Sequence, residues 1–289
     1  MDRIEVSSPE EISNVLADSR LDREFRTPTA LINWLLLKRA LSVLAFEGRR
    51  FPTMMPRASA ASSSERDRLW ERLEAKVPSI REGPDELEPL ARCIRGDNPG
   101  DQLGIRAQQL LGSLFSDRFV ATSQSWEAAR ILVAAPRLSN PAKLFWWTVS
   151  GKVRRAKRLL AGMVNGDLSA VNAIGIAVHN VVKGLREMQR LHSNASIRST
   201  LSAQEAASQC LFAPASVFRQ STAAGNVNGC PFSRLSLFVL SIGDASRMEG
   251  GRSLVFLDES WSRCPAAQWV PAMLEGVWRR ASNAIDARR

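Results

Sequence analysis

Apolar side chains recur at intervals of three and four residues between positions 171 and 188, which is the spacing of one face of an α-helix. The stripe comprises Val171, Ile174, Val178, Val181, Leu185 and Met188. Asp167 precedes it as a candidate N-cap. Lys183, Arg186 and Arg190 lie on the opposite side of the same helical projection. The pattern predicts an amphipathic helix with one packed face and one basic face.

The stretch before it predicts a second helix of the same design. Asn140 is a candidate N-cap, Pro141 suits the first helical position, and the helix is expected to run to Met163. Its apolar side comprises Trp146, Val149, Val153, Ala156, Leu160 and Met163. Its opposite side carries Lys143, Arg154, Arg155 and Arg158, with Lys157 in the same run. Two consecutive helices are therefore expected to set basic ridges side by side.

Capping boxes and turn residues divide the rest of the chain. Ser8 with Glu11, Ser62 with Glu65, and Ser202 with Glu205 each predict the start of a helix. Gly and Pro interrupt residues 79 to 104, which predicts a lobe boundary there. The apolar runs 235–242 and 253–257 fit either strands or buried helix, because periodicity does not separate the two in short runs.

These patterns predict a mainly α-helical protein with few or no strands. Residues 1 to 100 are expected to form an N-terminal helical lobe with an N-terminal arm. Residues 101 to 289 are expected to form a C-terminal helical lobe that carries the basic helices. A basic groove is predicted between the two lobes.

The charge of the chain favours a polyanionic partner. The 289 residues carry a formal net charge of +10 with a pI near 10.4, and 45% hydrophobic content is ordinary for a folded protein. Residues 128 to 166 contain eight Lys or Arg and no Asp or Glu. A charge imbalance of this kind attracts phosphates without determining the fold.

Candidate chemistry is sparse. GxSxG, GxxxxGK[ST], GxGxxG and HExxH motifs are absent, and only two histidines exist, His179 and His192. The four cysteines show no CxxC spacing. Cys230 precedes Pro231 in a Gly-rich loop and is a weak candidate for a nucleophile or a haem ligand. A hairpin turn at Asn228 and Gly229 is favoured over a phosphate-binding loop. We therefore predict that the protein is not an enzyme and that it has no catalytic residues, no metal site and no cofactor.

Membrane and secretion signals are also absent. No run of 18 apolar residues is present, and the first residues lack the apolar core of a signal peptide. The sequence predicts no membrane span.

Residues 38 to 55 resemble the N-lobe segment of the phenuivirus and tenuivirus nucleocapsid proteins. A basic pair begins an aliphatic helix that ends at Gly48, and a basic loop containing Met54 and Met55 follows. The resemblance implies that Arg49 and Arg50 face RNA. It also implies that the helix at residues 9 to 19 is an arm that docks on a neighbouring protomer.

The predicted function is therefore that of a viral nucleocapsid or coat protein that binds genomic single-stranded RNA through its phosphates and self-associates into oligomers. It is expected in the virion and the host cytoplasm, or alternatively in the bacterial cytoplasm. The alternatives are a cellular or plasmid-encoded helical DNA-binding protein and an unrecognised enzyme. The predicted RNA contacts are Arg49, Arg50, Lys143, Lys152, Arg154, Arg155, Lys157, Arg158, Lys183, Arg186 and Arg190.

Overall fold

The structure is a computed structural model, and it describes residues 3–26, 31–57, 60–78, 84–97, 102–137, 140, 145–147, 149–258 and 260–286. The chain forms two compact units, each built from two separate stretches. Unit 1 comprises Met1–Arg68 and Ala213–Pro265, and unit 2 comprises Leu69–Phe212 and Ala266–Arg289. The predicted division into lobes of residues 1 to 100 and 101 to 289 stays a prediction.

All strands within the described residues lie in unit 1. They are β1 (Arg3–Val6), β2 (Leu21–Asp22), β3 (Ala45–Phe46), β4 (Arg49–Arg50), β5 (Val217–Ser221), β6 (Gly225–Val227), β7 (Cys230–Phe232) and β8 (Leu237–Leu240). Four of them form a mixed sheet in the order β1-β8-β5-β2. β1 pairs with β8 in parallel, Arg3 opposite Leu237, and the other two pairs are antiparallel. β3 pairs with β4, and β6 pairs with β7.

Along the chain the helices are interspersed with these strands, and helices make up most of unit 2. They are α1 (Pro9–Ala17), α2 (Leu31–Leu44), α3 (Ala60–Glu74), α4 (Pro84–Arg95), α5 (Gln102–Ser113), α6 (Ser123–Ala134), α7 (Lys152–Met163), α8 (Leu168–Asn172), α9 (Val178–Ser193), α10 (Ala195–Thr200), α11 (Ala203–Gln209), α12 (Ile242–Ala245) and α13 (Val270–Asp286). Short 3₁₀ helices cover Pro52–Met54, Ala135–Arg137, Arg252–Val255 and Pro265–Gln268.

Side-chain capping fixes the start of several helices as the sequence predicts. The Ser8 hydroxyl accepts a hydrogen bond from the Glu11 amide, and α1 then buries its apolar face in the core of unit 1. Ser202 and Glu205 form a reciprocal capping box at α11. Asp167 accepts from two amides at the start of α8. These helices begin where their side chains satisfy the first backbone N–H groups.

The apolar stripe from Val171 to Met188 forms the core of unit 2, and all six of its side chains are buried. A π-helical segment, Ala173–Ala177, joins α8 to α9 within this stripe. The buried amide of Gln108 on α5 donates to the Ile174 carbonyl at 2.9 Å and to the Ser125 carbonyl at 3.0 Å. Gln108 thus satisfies a carbonyl of the irregular turn, where the regular helical bonding pattern is broken.

The helix from Leu168 to Ser193 is long and apolar enough to cross a membrane by length and composition alone. In its most apolar window, 56% of the residues are buried within the protein. A buried core helix meets the same criterion.

The predicted continuous helix from 140 to 163 is wrong. Gly151 adopts a left-handed conformation with φ of +61°, and α7 begins only after it. Trp146 and Val149 therefore do not share the buried side of α7, and both are exposed. Ala156 and Leu160 are buried, but so is Lys157, one of the predicted RNA contacts. Residues 141 to 144, including Lys143, lie outside the described residues.

The prediction of few or no strands is also wrong. The apolar run at 235–242 contains β8, which holds β1 and β5 together by long-range pairing. The run at 253–257 contains no strand, and its first three residues belong to the 3₁₀ helix Arg252–Val255. The predicted turn is present, since Asn228 and Gly229 have φ of +53° and +73° between β6 and β7. Two positive φ values in a two-residue hairpin turn are typical of type I′.

Candidate functional site

Three arginine side chains surround one tryptophan ring in unit 1. The guanidinium carbons of Arg66, Arg23 and Arg219 lie 5.0, 5.3 and 5.5 Å from the centre of the Trp261 ring. Each cation is attracted by the electrons of the indole face, while the three cations repel one another. We call this group the arginine cluster.

Different elements supply the members of the arginine cluster. Arg23 directly follows β2, Arg66 lies on α3, and Arg219 occupies the middle of β5. Trp261 follows the 3₁₀ helix at Arg252–Val255. The cluster therefore forms only when the sheet is assembled from both stretches of unit 1.

Arg219 is fully buried and rigidly held. Its Nη1 donates to the Phe218 carbonyl at 2.9 Å, and its Nη2 donates to the Ser262 hydroxyl at 2.6 Å. The Ser262 hydroxyl is in turn 2.6 Å from that of Ser260. Burial lowers the pKa of Arg219 well below its ordinary value, and repulsion from Arg23 lowers it further.

Asp22 offsets part of this positive charge, and Asp67 acts on Arg66 as well. Its Oδ1 accepts from the backbone amides of Arg23, at 2.6 Å, and Arg57, at 2.8 Å. Burial lowers the pKa of Arg23 to about 10, repulsion from Arg66 adds to the effect, and Asp22 opposes it. Burial also lowers the pKa of Arg66. Three guanidiniums therefore interact with two carboxylates, of which Asp67 is exposed, so the site carries an excess of positive charge.

Several buried hydrogen-bond donors of this site point to a missing acceptor. Within the described part of the chain, no acceptor lies within hydrogen-bonding distance of Arg66 Nη1, Arg219 Nε or Trp261 Nε1. Leaving a buried donor unsatisfied costs about 1–3 kcal/mol, and more when the group is charged. The donors and the excess charge together suit an anionic ligand with several oxygen atoms.

A thiol lies beside this cation site. Cys264 is half-buried, and its backbone amide donates to the Phe256 carbonyl at 2.7 Å. The ionised form of Cys264 favours the charged form of Arg23, so the two groups are within electrostatic reach. A neighbouring cation favours the thiolate, which is the metal-binding form of cysteine.

The other cysteines differ in their surroundings. Cys230, the thiol singled out in the sequence, lies in β7, and its Sγ is 3.9 Å from the Pro231 carbonyl. Cys93 and Cys210 are buried, and burial raises the pKa of Cys93. Among the described residues, no group of three or more His, Cys, Asp or Glu side chains is placed to hold a metal ion. A metal held at Cys264 would therefore have to bring further ligands of its own.

Comparison with known proteins identifies the fold. No family model matches the chain, and no curated protein matches it. Among solved structures, it is similar to CYP175A1 from a strain of Thermus thermophilus, with 16% identity, a TM-score of 0.62, and coverage of 96% of this chain and 80% of that one. P450 RauA gives 11% identity, a TM-score of 0.64 and coverage of 97% and 83%. The P450 heme domain of Tepidiphilus thermophilus is 15% identical, with a TM-score of 0.57, and the match covers 96% of this chain and 80% of that one.

The chain therefore has the cytochrome P450 fold. This overturns the resemblance to phenuivirus and tenuivirus nucleocapsid proteins and the nucleocapsid-like fold class. The predicted RNA-coating function, the genomic RNA partner and the non-enzymatic character are wrong for the same reason. The DNA-binding alternative does not fit this fold either. A location in the virion conflicts with it, whereas the bacterial cytoplasm is compatible.

The basic residues predicted to bind RNA are distributed over both units, with Arg49 and Arg50 in unit 1. Arg49 is exposed on β4, whereas the Arg50 side chain donates to the carbonyls of Arg23 and Glu24 at 2.6 and 2.7 Å. Arg50 thereby supports the segment that carries Arg23, and burial lowers its pKa. Burial also lowers the pKa of Lys157 to about 8, which does not suit a surface contact.

The remaining predicted residues lie in unit 2. On α7, Lys152 is half-buried, and Arg154, Arg155 and Arg158 are exposed. On α9, Lys183, Arg186 and Arg190 are exposed, and Arg190 pairs with Glu187. Contact of the individual basic residues with a phosphate backbone stays a prediction.

Sequence reasoning missed the arginine cluster because its members are far apart in the chain. One local signal was present: Arg219 stands between Phe218 and Gln220 in a run that forms a central strand. A charged side chain in such a strand is rarely buried without a partner. A second signal was the placement of Trp261 three residues before Cys264.

Proposed function

We propose that this chain is a haem-thiolate protein with monooxygenase-type activity, in which Cys264 ligates the haem iron and the arginine cluster binds the haem propionates. The observation that carries the proposal is the set of buried guanidinium and indole donors that have no acceptor among the described residues. These donors lie on residues close in the chain to the Cys264 thiol or packed against those residues. Haem carries two carboxylates, whose oxygen atoms would accept from such donors and whose charge is opposite to that of the guanidiniums. The P450 fold is consistent with this assignment.

The arginine cluster supplies donors that suit the propionate groups of the cofactor. Arg66 Nη1, Arg219 Nε and Trp261 Nε1 are buried donors that would receive propionate oxygens. Guanidinium–carboxylate contacts are among the stronger hydrogen bonds in proteins. Ser262, which already accepts from Arg219, would keep that side chain oriented. A propionate would therefore meet donors that need little rearrangement.

The chemistry of the proposed site depends on the thiolate. Haem iron held by a cysteine thiolate supplies electron density that favours cleavage of an O–O bond. Arg23 would stabilise the negative charge on Cys264, since the two interact electrostatically. The hydrogen bond from the Cys264 amide to the Phe256 carbonyl would fix the backbone at the ligand. In this proposal these residues bind the cofactor and hold the backbone at its ligand.

The proposal is tested by reconstituting the full chain with haem and recording absorption and electron paramagnetic resonance spectra. We expect a Soret band whose position, on reduction and addition of carbon monoxide, reports thiolate ligation. Cys264→Ala should abolish that signature. Cys230→Ala, at the other half-exposed thiol, should keep it. A thiolate spectrum that survives in Cys264→Ala, or a wild-type chain that binds no haem, contradicts the assignment.

A further inference from the structure

Unit 2 exposes a group of large apolar side chains next to its most basic helix. Phe145, Trp146 and Val149 are 69%, 67% and 65% exposed. Among the described residues, Val120 and Met248 are exposed but isolated in the sequence, and Leu31 and Leu35 form a separate exposed pair on α2. Single exposed apolar residues are ordinary, whereas a contiguous group marks an interaction surface.

Cations adjoin this apolar group. The Lys152 ammonium lies 4.6 Å from the centre of the Trp147 ring, which ties the aromatic segment to the start of α7. Arg154, Arg155 and Arg158 are exposed on the side of α7 opposite Ala156 and Leu160. No Asp or Glu occurs between residues 128 and 166. We call the whole set the aromatic–basic face; it comprises Phe145, Trp146, Val149, Lys152, Arg154, Arg155 and Arg158.

A shallow groove of about 520 Å³ lies beside the aromatic–basic face. Ala128 and Ile131 of α6 and Leu159 of α7 give it an apolar lining, and Lys152 and Arg155 stand at its edge. Glu127, the acidic residue in this lining, is paired with Arg130 at 3.3 Å. The groove therefore offers an apolar surface and cations to the same ligand.

The presence of aromatic, aliphatic and basic side chains on one surface indicates which class of partner it binds. Trp and Phe favour the boundary between water and hydrocarbon, and Lys and Arg are attracted to anionic headgroups there. Aliphatic side chains such as Val149 and Leu159 suit acyl chains but give a nucleic-acid base little to stack on. An acidic protein would use the cations but would have to supply its own apolar patch.

We propose that the aromatic–basic face binds the surface of membranes that contain anionic lipid. Phe145, Trp146 and Val149 enter the boundary region, and the α7 arginines contact headgroup phosphates. The proposal does not depend on haem binding, because the arginine cluster belongs to unit 1 and the aromatic–basic face to unit 2.

The test is flotation of the full chain with phosphatidylcholine vesicles, with and without phosphatidylglycerol. Binding should require phosphatidylglycerol and weaken as salt is raised, because salt screens exposed charges. Each cation at an anionic surface contributes roughly fivefold to binding, so the triple change Arg154→Gln, Arg155→Gln and Arg158→Gln should weaken it about 100-fold. The triple change Phe145→Ser, Trp146→Ser and Val149→Ser keeps the charge and should also abolish flotation.

The matched control is the triple change Lys183→Gln, Arg186→Gln and Arg190→Gln on α9. It removes the same net charge from exposed positions of unit 2, and it should weaken flotation by less than about tenfold because only general attraction is lost. Circular dichroism establishes that each variant is folded. Equal losses in the α7 and α9 variants overturn the proposal. So does a wild-type chain that binds RNA or polyglutamate but does not float with phosphatidylglycerol vesicles.

Discussion

Replacing Gln108 by Met should destabilise unit 2 strongly although the two side chains have similar size. Gln108 is fully buried, and its amide donates to the carbonyls of Ser125 and Ile174. Its Oε1 accepts from the Ser125 hydroxyl at 2.6 Å. The substitution removes three hydrogen bonds at once and creates no sizeable cavity, so the polar loss dominates.

The magnitude follows from the partners that remain. The Ser125 hydroxyl keeps a second acceptor, the Thr122 carbonyl at 2.9 Å, so its loss is small. The two carbonyls lose a buried donor, at about 1–3 kcal/mol each. We expect the free energy of unfolding to fall by about 3–5 kcal/mol, a large part of the roughly 5–15 kcal/mol of a typical domain.

The assay is urea unfolding followed by circular dichroism, with Gln204→Met as control. Gln204 is an exposed glutamine on α11, so the same chemical change there should alter stability by about 0.5 kcal/mol or less. A change below about 1 kcal/mol in Gln108→Met would refute the reasoning. It would mean that the carbonyls around the π-helical segment find other donors when the amide is removed.

Two further predictions concern charged side chains. Burial lowers the pKa of His192 in the folded state, and repulsion from Arg198 lowers it further. As the pH falls, His192 is therefore protonated at a higher pH in the unfolded chain than in the folded protein. Stability should therefore fall as pH drops below about 6.5, by up to about 1.4 kcal/mol per pH unit, and unfolding of His192→Gln across that range should show a shallower slope. Arg66→Gln should weaken haem binding about tenfold or more in a spectroscopic titration, since it removes a charged donor, whereas Arg68→Gln, an exposed arginine on the same helix, should leave the affinity unchanged. Equal affinities of these two variants would exclude Arg66 from the propionate contact.

The parts of the fold that sequence predicts are local. Ser8, Asp167 and Ser202 cap helices through backbone groups two or three residues away, and the stripe from Val171 to Met188 is a single-helix pattern. The mixed sheet depends instead on pairing Arg3 with Leu237, which no local pattern encodes. Gly151 ended the predicted long helix because a left-handed glycine can stop a helix inside an otherwise periodic stretch.

The arginine cluster is not predictable from the sequence for a different reason. Net charge describes how a surface attracts other molecules, and the strongly basic composition therefore predicts a polyanionic partner such as RNA. Arg23 and Arg219 contribute to that balance, yet both are buried in unit 1. Sequence does not distinguish a buried cation from an exposed one when its neighbours come from other strands. The prediction therefore assigned function to the surface cations and overlooked the buried ones.

The discontinuous make-up of the two units has a consequence for biosynthesis. The parallel partner of β1, Leu237–Leu240, leaves the ribosome more than 200 residues after β1 itself. Until then, Arg3–Val6 remains an unpaired strand edge, which is the kind of segment that pairs with other chains. α13, which packs against α4 in unit 2, arrives later still. The sheet of unit 1 is therefore complete only after β8 is synthesised, and unit 2 gains α13 only after that, so a fragment ending before β8 should expose the edge of β1 and aggregate.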